Sequence, residues 1–163
     1  MRSLIMKFVM LHIIGTQLRK HWQFALLITV IALIFISVIG RDHLLDWDEC
    51  VFAQEAKEML STRDFLTYHW NGVRLFEKPP LTGWIISFFY LFGIDEFTAR
   101  LPATLGGISL LIAVYVFSVR FFNKRTALLS ALILLSTQFF TVYTIRINSD
   151  IFFTLFTFLG VIS

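Results

Sequence analysis

The chain has few charged residues and a single cysteine, and each scarcity excludes a class of protein. Charged residues make up 15% of its 163 positions and hydrophobic residues 57%, with a mean hydropathy of +0.76. A water-soluble core would leave much of that apolar surface exposed, whereas lipid can solvate it. Cys50 alone cannot form an internal disulfide, and no spacing of Cys and His resembles a zinc finger. The composition therefore predicts an all-α membrane protein.

Acidic residues are missing from two segments that are rich in basic ones. Residues 1–23 and 120–125 hold seven of the fourteen lysines and arginines and none of the eleven acids. Ten acids lie between Asp42 and Glu96, and the eleventh is Asp150. Since segments rich in Lys and Arg usually stay cytoplasmic, the acidic loop is expected to face the periplasm or the exterior. These basic segments also explain the pI near 9.2, so no nucleic-acid partner is expected.

Long apolar runs without charge predict the membrane crossings. Three runs are long enough to span a bilayer: residues 24–40 (an uncleaved first span), 101–119 and 126–145. A fourth starts at 151 and ends at Ser163 while still apolar, before the roughly 20 residues that a crossing needs. Ala103 and Gly107 are small residues at a spacing that permits close helix contact. We expect the N-terminal portion of a multi-pass bundle, with residues 120–125 cytoplasmic and 146–150 external.

The topology depends on residues 81–94. This apolar stretch of 14 residues follows Pro79-Pro80, which favours a helix that lies in the membrane plane over a full crossing. Residues 41–100 then form one external loop. In the alternative, the stretch crosses the bilayer, residues 120–125 move outside and Asp150 moves to the cytoplasmic side.

The external loop begins with an amphipathic helix over residues 49–60. Phe52, Ala56, Met59 and Leu60 recur at helical spacing, and the neighbouring polar residues fall mostly on other faces. Acids at the start of this helix have two interpretations. They can stabilise the exposed amides of the first turn, or a carboxylate held at headgroup level can act as a general base toward an acceptor hydroxyl or amine.

A second informative segment covers residues 71–80. Asn71-Gly72 is typical of a tight turn, and the later Pro-Pro pair stiffens the chain as it enters the next helix. Lys78 lies between these features, at the expected membrane interface. Its ammonium group can neutralise a lipid-linked phosphate, or it can simply extend toward the headgroups.

Taken together, these motifs resemble one family. Asp48-Glu49 after the first span, Asn-Gly-Val-x-x-Phe-Glu-Lys-Pro-Pro from Asn71 and Arg100-Leu101-Pro102 look like the N-terminal part of polyprenyl-phosphate-dependent membrane glycosyltransferases. The bacterial aminoarabinose transferases that modify lipid A are the nearest resemblance, and the protein O-mannosyltransferases are more distant. The resemblance covers residue 45 to the end. It implies a GT-C bundle in the inner (plasma) membrane whose external loop carries in-plane helices.

The resemblance also implies roles for individual residues. Asp48 matches the catalytic base, and Glu49 beside it completes the predicted catalytic pair by ordering the site. Lys78 and Arg146 match phosphate contacts of the substrate, with Asp150 as a further substrate-binding acid. Glu77 corresponds to a residue near a divalent metal in some relatives, which makes such a metal a candidate cofactor.

The expected reaction moves a sugar from a polyprenyl-phosphate donor to a lipid or protein acceptor, with inversion. Phosphate is already a good leaving group, so one base and one cationic pocket suffice. Two alternatives remain at this stage. A truncated, inactive relative that binds lipid or a partner would share every motif, and a transporter fragment would need polar residues inside the spans, where the sequence has few.

Overall fold

The structure is a computed structural model that describes residues 21–45, 47–75 and 80–162. These ranges contain seven helices and one two-stranded sheet, in the order α1 (Trp22–Val38), α2 (Asp48–Thr62), β1 (Tyr68–Trp70), β2 (Val73–Leu75), α3 (Leu81–Tyr90), α4 (Glu96–Phe121), α5 (Lys124–Ser136), α6 (Gln138–Ile145) and α7 (Asp150–Ile162).

The long helix α4 is the centre of the bundle. In the described part of the chain it is the one helix with both the length, 26 residues, and the apolarity to cross a membrane. The pair α5 and α6 supplies a second crossing if it forms a single bent span. The helices α1, α5, α6 and α7 contribute to one apolar core with α4, whose buried members include Phe24, Leu111, Ala131, Phe140 and Phe152. The number and direction of crossings remain a prediction from the charge pattern.

The helix α4 starts earlier than the apolar run that was predicted to begin at residue 101. Asp95 is its N-cap, and its carboxylate accepts a hydrogen bond from the Thr98 backbone N–H at 2.7 Å. The Thr98 hydroxyl in turn lies 3.2 Å from the Asp95 N–H, which completes a capping box. Because the helix begins at Glu96, Arg100 lies within it rather than in the loop.

The structure divides the predicted span over residues 126–145 into two helices, α5 and α6. The two helices meet at an angle of 71° around Thr137, which has an extended backbone conformation (φ −76°, ψ 119°). The hydroxyls of Ser136 and Thr137 both donate to the carbonyl of Ile133, at 2.7 and 3.1 Å. Such side-chain bonds compete with the helical ladder and bend helices. The segment contains no proline or glycine that would have signalled the break.

A second layer packs on one end of the bundle. Here α2 and α3 bury a small apolar cluster, which includes Phe52, Ala56, Ile86 and Tyr90, against the start of α4. The predicted amphipathic helix is confirmed as α2, with Phe52, Ala56 and Met59 buried. Glu55 was expected on a polar face, yet it is fully buried. The ten residues of α3 are too few to cross a bilayer, which fits an in-plane helix.

The Asn-Gly turn predicted from the sequence joins β1 to β2. Asn71 and Gly72 both have positive φ, 52° and 79°, as a two-residue hairpin requires. Glu58 of α2 accepts hydrogen bonds from both turn amides, at 2.9 and 3.2 Å. At the other end of the hairpin, the Tyr68 hydroxyl accepts from the Gly83 N–H at 3.1 Å. The hairpin is therefore fastened to α2 and to α3.

Close packing of α4 on α6 leads to a testable prediction. A methyl group added at Gly107 would overlap the side chain of Thr144, whose backbone carbonyl already accepts a 2.9 Å hydrogen bond from Thr104. Gly107→Ala is expected to lower the stability of the purified protein by about 1–3 kcal/mol, as overpacking does. Thermal unfolding in detergent measures this. Gly160→Ala is the matched control, since its added methyl group meets open space. Equal melting temperatures for the two variants would contradict the packing described here.

Candidate functional site

A buried carboxylate, Glu49, holds the site together. It is 2% exposed and accepts hydrogen bonds from the backbone N–H of Leu45 (2.8 Å) and of Ile147 (2.9 Å). Arg100 binds both of its oxygens, through Nε at 2.9 Å and Nη2 at 2.8 Å. Arg146 adds a fifth contact, from Nη1 to Oε2 at 3.2 Å. One carboxylate thus connects the start of α2, the helix α4 and the segment between α6 and α7.

Arg100 has a partner for every one of its N–H groups. Besides the pair with Glu49, Nη1 donates to the carbonyls of Ile39 (2.8 Å) and Asp42 (2.7 Å). Nη2 donates to the carbonyl of His43 at 2.8 Å. The guanidinium therefore fixes the chain that leaves α1 against α2 and α4. Arg100 belongs to the Arg100-Leu101-Pro102 motif, from which no role was predicted for it. The available signal was a charge at the edge of an apolar run.

Glu49 is held in its ionised form. Burial alone would raise the pKa of this carboxyl, but the Arg100 hydrogen bond and the amides of Leu45 and Ile147 outweigh it and bring the pKa below its ordinary value. With five donors around two oxygens, Glu49 is placed to order its neighbours. This geometry fits the ordering role that the resemblance implied, while its place in the catalytic pair stays a prediction.

A cleft of about 420 Å³ lies beside this carboxylate, and we call it the Asp48 cleft. It brings together four of the six predicted site residues: Asp48, Glu49, Arg146 and Asp150. The rest of its wall comes from α2, from the end of α6 and from the segment that follows: Leu45, Phe52, Val142, Tyr143, Ile147, Asn148 and Ser149. Asp48 and Asp150 are both exposed. Residues about 100 positions apart in the sequence therefore face one space.

The segment between α6 and α7 is shaped by Asn148. Its side-chain amide donates to the carbonyls of Tyr143 (2.7 Å) and Arg146 (2.9 Å). Its side-chain oxygen accepts from the Ile151 N–H at 3.0 Å, in the first turn of α7. This local network sets the positions of Arg146 and of Asp150, which begins α7. Asn148 is not among the site residues predicted from the sequence.

Arg146 is the cationic side chain in the lining of the Asp48 cleft, where Asp48 and Asp150 add two exposed carboxylates. Glu49 carries one negative charge, and the bidentate contact from buried Arg100 already neutralises it. The Arg146 side chain, 25% exposed, adds a second positive charge at the cleft wall. Arg146 has donors left for an anionic ligand, because its one Nη1 contact to Glu49 uses only part of its five N–H groups.

An apolar groove of about 590 Å³ adjoins the Asp48 cleft. The two share Ser149 and Asp150. The groove runs between the start of α3 and α7, and its wall is formed mainly by apolar and hydroxyl side chains: Leu81, Thr82, Phe152, Phe153, Phe156 and Thr157. A ligand with an anionic head and an apolar tail would match the Asp48 cleft and the adjoining groove together.

Two predicted site residues, Glu77 and Lys78, lie outside the described residues. Their roles in metal and phosphate binding stay predictions. Among residues 21–45, 47–75 and 80–162, no group of three or more His, Cys, Asp or Glu side chains has an arrangement that could hold a metal ion.

Comparisons with known proteins point to one group of enzymes. Residues 77–162 match the family described as dolichyl-phosphate-mannose-protein mannosyltransferase. The undecaprenyl phosphate-alpha-4-amino-4-deoxy-L-arabinose arabinosyl transferase of Pseudomonas savastanoi pv. phaseolicola is 32% identical over 135 residues, which is 82% of this chain and 25% of the relative. A Pseudomonas fluorescens protein with the same description is 33% identical over 130 residues, 78% of this chain and 23% of its own length.

Solved structures agree with the sequence matches. ArnT from Cupriavidus metallidurans bound to undecaprenyl phosphate aligns with a TM-score of 0.76 and 28% identity, over 83% of this chain and 26% of ArnT. Its apo form gives a TM-score of 0.72 and 30% identity, over 79% of this chain and 24% of ArnT. The chain thus spans about a quarter of the length of the relatives that it matches. The helical membrane fold predicted from the sequence is confirmed.

Proposed function

Because the chain belongs to the dolichyl-phosphate-mannose-protein mannosyltransferase family, we propose that it is the N-terminal part of a membrane glycosyltransferase that takes its sugar from a polyprenyl-phosphate donor. The observation that carries this proposal is the Asp48 cleft, in which the candidate base Asp48, the cation Arg146 and the further carboxylates of Glu49 and Asp150 meet beside an apolar groove. The acceptor is a lipid or a protein at the external face of the membrane.

The donor fits the shape and charge of the two adjoining spaces. Its isoprenoid tail would lie along Phe153 and Phe156 in the apolar groove, where burial of apolar surface is favourable. Its phosphate would lie near Arg146, because a guanidinium presents several donors to phosphate oxygens. The sugar would then lie in the Asp48 cleft, with Asp150 accepting hydrogen bonds from its hydroxyls. Lys78 is proposed as a second phosphate contact.

The chemistry needs one base. Asp48 takes the proton from the acceptor hydroxyl or amine as that group attacks the anomeric carbon of the sugar. A new bond from that carbon to the acceptor forms, and the bond to the phosphate oxygen breaks, so that the polyprenyl phosphate leaves with the electron pair. Attack from the side opposite the leaving group inverts the configuration. Arg146 stabilises the negative charge that builds on the departing phosphate.

Donor binding can be tested separately from transfer. Replacing Arg146 by glutamine is expected to weaken undecaprenyl phosphate binding about 10- to 100-fold, the range for hydrogen bonds to a charged group. Titration of the purified protein in lipid nanodiscs, followed by native mass spectrometry, measures the affinity. Glu49 keeps its contacts with Arg100, Leu45 and Ile147 in this variant, so the fold should persist.

Arg120→Gln provides the matched control, since Arg120 is an exposed arginine at the far end of α4. Its affinity for the donor should equal that of the unmodified protein. Equal affinities for the Arg120 and Arg146 variants would refute the phosphate role of Arg146.

A further inference from the structure

A second cleft lies on another face of α2, between that helix, the β-hairpin and α3. We call it the Trp70 cleft. Its volume is about 290 Å³, and its polar and aromatic lining comprises Cys50, Gln54, Lys57, Trp70, Asn71 and Tyr90. None of these residues lines the Asp48 cleft. The donor and the transfer step proposed above leave this space unused.

The rim of the Trp70 cleft is held in place by Glu58. Its carboxylate accepts from Gln54 Nε2 at 2.7 Å and from the backbone amides of Asn71 and Gly72. Burial acts to raise the pKa of Glu58, but these donors bring it below its ordinary value, so the carboxylate stays ionised. With Gln54 Nε2 bound to Glu58, the side-chain oxygen of Gln54 remains an acceptor that no described residue uses. The side-chain amide of Asn71 likewise makes no hydrogen bond within the described residues.

Donors face the same space. Lys57 is exposed and forms no ion pair with any described acid, so its three N–H groups are available to a ligand. Tyr90 is 6% exposed, and burial raises its pKa to about 12, so its hydroxyl remains protonated at neutral pH. Lys57 in the cleft wall and the Glu58 carboxylate, which is bound to the rim at Gln54 and Asn71, carry opposite charges. The cleft therefore suits a ligand without strong net charge.

We infer that the Trp70 cleft binds a single sugar ring. The apolar face of such a ring can stack on the Trp70 indole, while its hydroxyls, which both donate and accept, match the amides of Gln54 and Asn71 and the donors of Lys57 and Tyr90. The volume lies near the lower end of the roughly 300–1,000 Å³ of small-molecule pockets, which favours one ring over an oligosaccharide. This inference goes beyond the proposed function, because it requires neither the donor nor transfer.

The sole cysteine of the chain allows a direct test, since Cys50 is half-buried in the wall of the cleft. The protein is placed in nanodiscs without sugar-based detergent, and the rate of Cys50 modification by a small thiol reagent is measured. Methyl glucoside in solution and glucosyl diacylglycerol in the bilayer are the two probes, with unglycosylated diacylglycerol as the control. Saturation-transfer NMR on methyl glucoside detects binding independently of the reactivity of Cys50.

The expected result is a severalfold slower modification of Cys50 and an NMR transfer signal with methyl glucoside. Protection by both probes assigns recognition to the ring itself, and protection by the glycolipid alone assigns it to a sugar presented from the bilayer. Equal protection by unglycosylated diacylglycerol, or neither protection nor transfer with either probe, would overturn the inference.

Three variants locate the binding. Lys57→Met removes donors from an exposed side chain and should raise the half-protecting concentration about 3- to 10-fold. Trp70→Ala should abolish protection, while Trp47→Ala, at an 82% exposed tryptophan outside the cleft, should leave it unchanged. Persistence of full protection in both the Lys57 and Trp70 variants would contradict the site. Asp48→Asn should bind the probes normally, so this test stays separate from that of transfer.

Discussion

Replacing Asp48 by asparagine is expected to reduce sugar transfer by a factor of about 10²–10⁴, the usual contribution of a general base. The amide keeps the size of the side chain but cannot take a proton from the acceptor. Transfer from a radiolabelled polyprenyl-phosphate sugar is measured in membranes that contain the complete gene product. Because Asn has the size of Asp and Arg146 is unchanged in this variant, donor affinity should change little.

Asp42 offers a matched control for that experiment. It is an exposed acid in the same loop, it does not line the Asp48 cleft, and it contacts Arg100 through its backbone carbonyl rather than its carboxylate. Asp42→Asn should retain near-normal transfer. If the Asp48 variant also turned over at a near-normal rate, Asp48 would not be the base.

Arg100→Met is expected to have the largest effect on stability. It leaves Glu49 as a buried charge whose closest cationic partner is gone, and it deprives the carbonyls of Ile39, Asp42 and His43 of their donor. Removing one partner of a buried ion pair costs about 3–5 kcal/mol. Thermal unfolding of the purified protein, or its resistance to proteolysis in membranes, should show the loss. Arg41→Met, at an exposed arginine of the same loop, should have little effect.

A double variant separates the ion pair from simple packing. Combining Arg100→Met with Glu49→Gln removes the uncompensated charge, so its loss of stability should be smaller than the sum of the two single losses. Strict additivity would mean that Arg100 and Glu49 do not act as a pair.

Local patterns in the sequence predicted much of the fold. Asn71-Gly72 specified the hairpin turn, because only a few residues accept positive φ at both turn positions. The spacing of Phe52, Ala56 and Met59 specified the buried face of α2. The bend at Thr137 could not be predicted in this way, because it depends on which hydroxyls bond to the backbone rather than on a helix-breaking residue.

The candidate site was only partly predictable. Resemblance to the family, which the comparisons confirm, identified Asp48, Arg146 and Asp150, and these residues do share one cleft. The role of Arg100 was missed because its partners, the Glu49 carboxylate and three backbone carbonyls, lie more than 50 residues away in the chain, and nothing local in the sequence marks them. Glu49 and Asp48 are adjacent, yet one is buried and the other exposed, which follows from packing rather than from residue type.

The central claim, that the Asp48 cleft and the adjoining groove hold the donor, can be tested by cross-linking. A polyprenyl phosphate with a photoreactive diazirine on the isoprene unit next to the phosphate is irradiated with the protein in nanodiscs, and the adducts are mapped by mass spectrometry. The account predicts adducts in the first two turns of α7, chiefly at Phe152, Phe153 and Phe156. Adducts confined to α1, to α5 or to the Trp70 cleft would contradict it.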